Sequence, residues 1–308
     1  MIEGQEDVTW PQWVALAEAC EEHGVGTLFR SDHYLSVEGR EERGSLEAWA
    51  TLAGLAALTT RLRLGALVSP ATFRHPSVLA KLVTAADHIS GGRVELGIGA
   101  GWNEREHEAY GFAFPALGER MEILEEQLAI VRGAWADGPF SFAGKHYRLD
   151  ALDAQPKPVQ RPHPPVIIGG IAKPRTARLA ARLADEYNTV YATPAECAER
   201  RAVVEAAWRE AGRDPATMTF SVMVPWVSGG DSADLRQRAE RLATWRGTDA
   251  PSMLEEFARL GVAGTFDESL ARMREYRDAG VDRIMLQHLL HDDIEAIGLL
   301  GRLAAAVG

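Results

Sequence analysis

The chain has 308 residues, 46% of them hydrophobic, enough for one large core, and a single α/β domain spanning residues 1–308 is the expected organisation. Its net charge of −11, from 33 basic and 44 acidic side chains scattered along the chain, excludes bulk attraction to nucleic acid or to an anionic membrane. A small anionic ligand remains compatible, because a few arginines gathered in one cleft reverse the field locally.

No apolar run reaches the roughly 18 residues of a membrane span. The start, MIEGQEDVTW, lacks a basic region followed by an apolar one, and Cys20 and Cys197 lie far apart without Cys-x-x-Cys spacing. A reduced cytoplasmic protein, without a disulfide framework or a thiolate metal site, is expected.

In chain order, Met1 to Gly4 reads as a fragment of strand. Thr9 opens the first helix, with Gln12 three positions on as in a capping box, and Gly24 ends it. Thr27 to Ser31 reads as a strand, Leu46 to Leu58 as a helix, Leu62 to Val68 as a strand, His75 to Ile89 as a helix and Val94 to Gly99 as a strand. Pro139 to Pro165 interrupts the pattern, with six of the fifteen prolines, and within it Phe140 to Leu149 alternates around Ala143-Gly144 as a hairpin would. Such an excursion either covers a cavity or is a plain surface flap.

Strands resume at Val166 to Ile168, Asn188 to Tyr191, Phe220 to Val227 and Arg283 to Leu286, with helices between and after them. Ser228 to Pro251, polar and glycine-containing, is the candidate for a mobile lid. Alternating βα units over this length predict a (β/α)8 TIM barrel with insertions after strands 4 and 7. An open doubly wound sheet is the rival, since strand order is not legible in one sequence.

Barrel enzymes work at the carboxyl ends of their strands. Ser31-Asp32-His33 puts an acid and an imidazole at one such end, suited to orienting a ligand and moving a proton, or else serving as a structural cap. The run Val68 to Pro76 forms a smooth apolar mouth that fits the face of a flat ring, or plain barrel packing. Gly97-Ile98-Gly99-Ala100-Gly101-Trp102-Asn103 has alternating glycines that let backbone pass close to a ligand, without the Gly-x-Gly-x-x-Gly of a dinucleotide fold.

Gly169-Gly170-Ile171 leads into a helix beginning near Pro174, with Lys173 and Arg175 beside it, and is the candidate phosphate site. His288, His291, Asp292 and Asp293 suggest either a metal site or a helix start capped by an aspartate; the helix start is the reading adopted, and no metal is expected. The signatures His-Glu-x-x-His, Gly-x-Ser-x-Gly and Gly-Lys-Ser/Thr are absent.

Taken together, Ser31-Asp32-His33-Tyr34, Val68 to Pro76, Asp87-His88-Ile89-Ser90-Gly91-Gly92-Arg93 and Gly97 to Gly111 resemble the luciferase-like flavin and deazaflavin oxidoreductases. Gly118-Glu119-Arg120, Gly144-Lys145-His146-Tyr147, Gln155 to Gln160 and Ile167-Ile168-Gly169-Gly170 add to this, in the family's usual order. The branch most resembled uses coenzyme F420. The resemblance implies a (β/α)8 barrel, a homodimer, and hydride transfer between C5 of the deazaflavin and a small organic substrate.

It also implies a ring resting on a bulge near Leu67-Val68, often with a non-prolyl cis peptide. Backbone at Gly169, Gly170 and Ile171 would hold the phosphate, with Ala100, Gly101, Trp102 and Asn103 beside the cofactor. His33 would be the proton donor or acceptor, and Asp32 its orienting or ring-contacting partner. An FMN-dependent monooxygenase and a non-catalytic cofactor-binding protein are the alternatives.

Two departures stand out. Val37 and Trp102 occupy places where F420-dependent sugar-phosphate dehydrogenases of this superfamily have a tryptophan and an acid, so sugar-phosphate oxidation is not expected and His33 lacks a second acid-base partner. The amino terminus is short by family standards, leaving either a first strand of two or three residues or a start assigned late. The substrate walls are expected from Pro139 to Pro165 and Ser228 to Pro251, with Trp102, Tyr34, Phe73 and Trp226 as candidate lining aromatics.

Overall fold

The alternation read from the sequence becomes a parallel sheet ringed by helices in the computed structural model, which describes residues 1–40 and 42–307. The first half runs α1 (Trp10–Glu22), β1 (Thr27–Arg30), α2 (Ala48–Leu58), β2 (Arg63–Pro70), α3 (Pro76–Ser90), β3 (Val94–Gly99), α4 (Glu104–Tyr110) and α5 (Leu117–Trp135). A hairpin of β4 (Phe140–Ala143) and β5 (Arg148–Leu152) follows. Then come β6 (Val166–Gly169), α6 (Pro174–Leu183), β7 (Glu186–Val190), α7 (Pro194–Glu210), β8 (Thr219–Gly229), α8 (Ser232–Arg246), α9 (Ala250–Leu260), β9 (Val262–Thr265), α10 (Phe266–Asp278), β10 (Arg283–Gln287) and α11 (Glu295–Val307).

The sheet order is β1-β2-β3-β6-β7-β8-β10, every neighbour parallel, as crossover helices require. Met1 and Ile2 join its two edges. The Met1 amine donates to the Leu286 carbonyl and the His288 N–H to the Met1 carbonyl, both at 2.9 Å. On the other side the Ile2 N–H donates to Phe29 O at 2.9 Å and the Ser31 N–H to Ile2 O at 3.1 Å. This short segment fills the place of the strand fragment expected at Met1 to Gly4 and supplies the eighth stave.

Local chemistry sets the element ends. Gln12 Oε1 accepts from the Thr9 N–H at 2.9 Å, completing the expected capping box. Gly91, at φ 65°, ends α3 in the left-handed conformation that glycine adopts without strain.

The hairpin over Phe140 to Leu149 forms, and lies against α5. Glu126 accepts the N–H groups of Lys145, His146 and Tyr147 at 2.7, 3.0 and 3.0 Å. The stretch from Ser228 to Pro251 is not an irregular lid. It continues β8 to Gly229 and then forms α8, capped by the Asp231 carboxylate on the Ala233 and Asp234 amides. Its polar run conceals a narrow buried stripe of Ala239, Leu242 and Ala243, too sparse to register as helical periodicity. The short β9, not expected from the sequence, pairs with the end of β8, Trp226 opposite Val262.

Two regions of the barrel interior matter for the site. Phe29, Leu67, Ile167, Met223 and Met285 form an apolar cluster inside the ring of strands. At the amino ends, Glu95 accepts from Arg63 at 2.5 Å and from Arg283 at 2.8 Å, and Arg283 also pairs with Glu186 at 3.3 Å.

Candidate active site

A cavity of about 420 Å³ opens at the carboxyl ends of the strands. Its floor is a bulge in β2, where the register against β3 shifts between Ala66 and Ser69 and the Leu67–Val68 peptide is cis. The neighbouring glycines make room for this bulge. A Cβ on Gly97 would stand 2.1 Å from Ala66 O and 3.0 Å from Val68 Cγ1, and one on Gly99 would stand 2.8 Å from Val68 Cγ2. The Gly-x-Gly pattern, expected to admit a ligand, admits the Val68 side chain instead. Val68 thus lines the cavity.

Of the residues singled out from the sequence, His33, Leu67, Val68, Ala100, Gly101, Trp102, Gly169 and Gly170 line the cavity; Asp32, Asn103 and Ile171 lie outside its lining. Trp102, 64% exposed, stands edge-on to the His33 ring at a centroid distance of 5.5 Å, as a partial cover at the mouth.

The expected pairing of Asp32 with His33 is corrected. His33 Nδ1 lies 2.7 Å from Glu106 Oε2. Glu106 is fully buried in α4, and its other oxygen accepts the backbone N–H groups of Tyr34 and of Leu35, the latter at 3.0 Å. Burial alone would lower the His33 pKa; the hydrogen bond and charge of Glu106 outweigh it, and the pKa is raised above the usual histidine value. His33 therefore has the acid partner that the sequence did not reveal.

Asp32 serves another end. Its carboxylate takes a fork from Arg74, Nη1 to Oδ2 at 2.6 Å and Nη2 to Oδ1 at 3.1 Å, and a hydrogen bond from Ser69 Oγ at 2.6 Å. Ser69 Oγ in turn accepts from the Trp49 indole at 3.0 Å. This network ties the end of β1 to the end of β2, fixing the backbone that carries His33 beside the bulge. The Arg74 pKa is raised: its burial, which alone would lower it, is outweighed by Asp32.

Asn103 caps α4, accepting from the Glu106 N–H at 3.4 Å, and so helps to aim the carboxylate at His33. Asn103-x-x-Glu106 has the spacing of a helix cap, which places the acid in the first turn of α4 without marking it as a partner of His33.

The cavity holds further polar residues that were not singled out: Glu3, Glu38, Asn188, Tyr191 and Gln287. Glu3 is buried, with one oxygen accepting from Gln5 Nε2 at 2.8 Å and the other from Gln287 Nε2 at 2.6 Å. No lysine or arginine is among the described lining residues. Lys173 and Arg175 stand exposed at the start of α6, where the Arg175 guanidinium reaches Gly118 O at 3.3 Å. In the turn before α6 the Gly170 N–H goes to Asn188 O at 2.9 Å and the Ala172 N–H to the Tyr187 hydroxyl at 2.8 Å. What remains for an anion there is the first turn of α6, whose amides have no carbonyl within the helix.

The expected walls are corrected as well: neither 139–165 nor 228–251 supplies a lining residue. Tyr34 and Phe73 stack with Tyr110, Phe112 and His107 beside the cavity, and Trp226 packs against His288 on the far side of β8. Among the described residues no group of three potential metal ligands converges. Asp292 pairs with Arg241, and Asp293 pairs with Arg238 and accepts the Ala296 N–H at the start of α11.

A parallel barrel whose strand-end cavity has an apolar bulge as its floor and the His33–Glu106 pair in its wall has the architecture of a barrel enzyme. Residues 2–301 match the luciferase-like monooxygenase family, and the chain belongs to it. It is 29% identical over 321 residues to the F420-dependent glucose-6-phosphate dehydrogenase of Nakamurella multipartita, covering 95% of this chain and 92% of that one. It is 35% identical over 136 residues to the FMNH2-dependent dimethylsulfone monooxygenase of Pseudomonas putida, 44% of this chain and 37% of the other. Among solved structures, an F420-dependent secondary alcohol dehydrogenase in complex with an F420-acetone adduct superposes with a TM-score of 0.85 at 21% identity, covering 100% and 98% of the two chains. The relatives are oxidoreductases, and so is this protein.

Proposed function

We propose that the protein is an F420-dependent oxidoreductase that moves a hydride between deazaflavin C5 and a small organic substrate. The observation that carries the reading is His33, raised in pKa by Glu106 and set at the wall of a cavity floored by the Leu67–Val68 bulge. An F420-dependent relative that matches nearly the whole chain supports this cofactor over FMN.

Leu67 and Val68 would carry the ring, Ala100 to Asn103 would flank it, Gly169 to Ile171 would border the phosphate, and the first turn of α6 would hold it. Lys173 and Arg175 would meet the anionic tail, giving a locally positive region on an acidic whole. The bound deazaflavin supplies a two-electron hydride carrier.

The chain's own part is positioning and proton transfer. His33 keeps its Nδ1–H on the Glu106 carboxylate and uses Nε2 to donate a proton to, or recover one from, a substrate oxygen as hydride moves. Leu67, Val68, Val190 and Met223 keep the surroundings apolar and exclude water. Asp32 acts through Arg74 and Ser69 to hold the loop. With Val37 in the wall and no lysine or arginine among its described residues, the cavity fits a neutral substrate better than a phosphorylated one. A homodimer in the cytoplasm belongs to the same reading.

Titration of the purified protein with F420 and with FMN, followed by tryptophan fluorescence, tests the proposal. Saturable quenching by F420 is expected, Trp102 being at the cavity mouth. Tight FMN binding without F420 binding would overturn it in favour of an FMN-dependent monooxygenase. Unchanged turnover in His33→Ala would leave only a cofactor carrier.

A further inference from the structure

Asn188, in β7, is 1% exposed, yet it lines the cavity. One end of its amide is committed. Nδ2 donates to Ser221 Oγ at 2.8 Å, and the Ser221 hydroxyl donates onward to Glu186, which pairs with Arg283 at 3.3 Å. Where Glu186 is ionised the serine proton belongs to its carboxylate, and the serine oxygen faces Asn188 as an acceptor. This fixes the amide with Oδ1 turned away from Ser221.

That Oδ1 is buried and has no hydrogen-bond partner among the described residues. Leu67, Val68, Val190 and Met223 line the same cavity, the Met285 sulfur stands 4.0 Å from Nδ2, and the polar side chains Glu3, Tyr191 and Gln287 bond one another. Asn188 is in register with Gly169, where a Cβ would meet Val68 Cγ1 at 3.5 Å, so the free acceptor lies one strand beyond the floor. A buried acceptor held rigidly in an apolar wall is costly unless a ligand donates to it.

We infer that Asn188 Oδ1 accepts a hydrogen bond from the imide N–H of the pyrimidinedione ring shared by flavins and deazaflavins. The inference rests on the cofactor reading above and adds the residue that recognises the ring edge. An imide N–H is flanked by two carbonyls and remains a donor at neutral pH in both cofactors. Substrate is kept to the other end of the cavity, near His33 and Trp102. Asn188 thus demands an imide-bearing ring without choosing between F420 and FMN.

Dissociation constants of F420, FMN and their N3-methyl derivatives, measured by fluorescence on wild type, Asn188→Leu and Asn188→Ala, provide the test. Wild type is expected to bind each methylated ring at least about ten-fold more weakly than its parent. Either variant is expected to bind the parents about ten-fold more weakly than wild type and to hold parent and methylated forms within about two-fold of each other. Thermal melts identify the variant that is folded. Equal binding of parent and methylated rings by wild type would overturn the assignment, as would a variant that keeps the wild-type ratio. If neither parent binds wild type, the cofactor reading fails and the assignment with it; if a parent binds without discrimination, only the assignment fails.

Discussion

At the scale of single residues, the site depends on which carboxylate meets which cation. Glu106→Gln keeps an oxygen for the Tyr34 and Leu35 amides but turns a donor toward His33 Nδ1. Burial is then opposed only by the weaker charges of Glu3 and Asp32, and the His33 pKa falls. Turnover at neutral pH is expected to drop about 10–100-fold, and the limb of the pH–rate profile that requires protonated His33 to move to lower pH. Steady-state kinetics across pH check both. Asp32→Ala leaves the Arg74 guanidinium, 8% exposed, without its fork and with Glu47 as its remaining carboxylate, and should destabilise the fold by about 1–3 kcal/mol, read by chemical denaturation. The adjacent letters Asp32-His33 suggested one catalytic pair; the structure separates them, because successive residues at a strand end point to opposite sides.

Elements show why one motif was legible and its purpose was not. Gly97 and Gly99 were recognisable as places where something approaches the backbone, but the approaching group, Val68, comes from another strand. Gly97→Ala would drive its methyl into the Ala66 carbonyl. A loss of about 1–3 kcal/mol in denaturation, with weaker cofactor binding as the bulge is displaced, is the expected result. Helices α1 and α3 were legible from capping and termination signals. Helix α8 was not, because its buried face amounts to a few residues in a run of charges that satisfy one another: Arg238 bonds both Asp234 and Asp293.

At the scale of the whole molecule, strands far apart in sequence share one ion-pair cluster inside the barrel, where Arg283 joins Glu95 and Glu186. Burial, opposed by Arg283 and Ser221, raises the Glu186 carboxyl from 4.5 to about 7. Between these values the folded protein binds more protons than the unfolded chain at this site, so its contribution to stability is full below about pH 4.5 and is lost as pH rises toward 7. Glu186→Gln should remove that part of the pH dependence, measured as the difference in unfolding free energy between wild type and variant from pH 4.5 to 8. An unchanged pH profile would show that Glu186 titrates alike in both states.

The sequence by itself determined the alternation of strands and helices through most of the chain, the hairpin, and the segments at His33, Val68, Ala100 to Trp102 and Gly169-Gly170 that reach the cavity, but not α8, β9 or the cavity's remaining walls. The legible parts follow from periodicity and from capping and turn chemistry, which act over a few residues. Only the tertiary structure decided that His33 answers to Glu106, 73 residues away, that Asp32 belongs to Arg74, and that Met1 and Ile2 join the edges of the sheet. Those pairings depend on which strand ends lie side by side, and strand order is set by packing of the whole chain, which leaves no local mark.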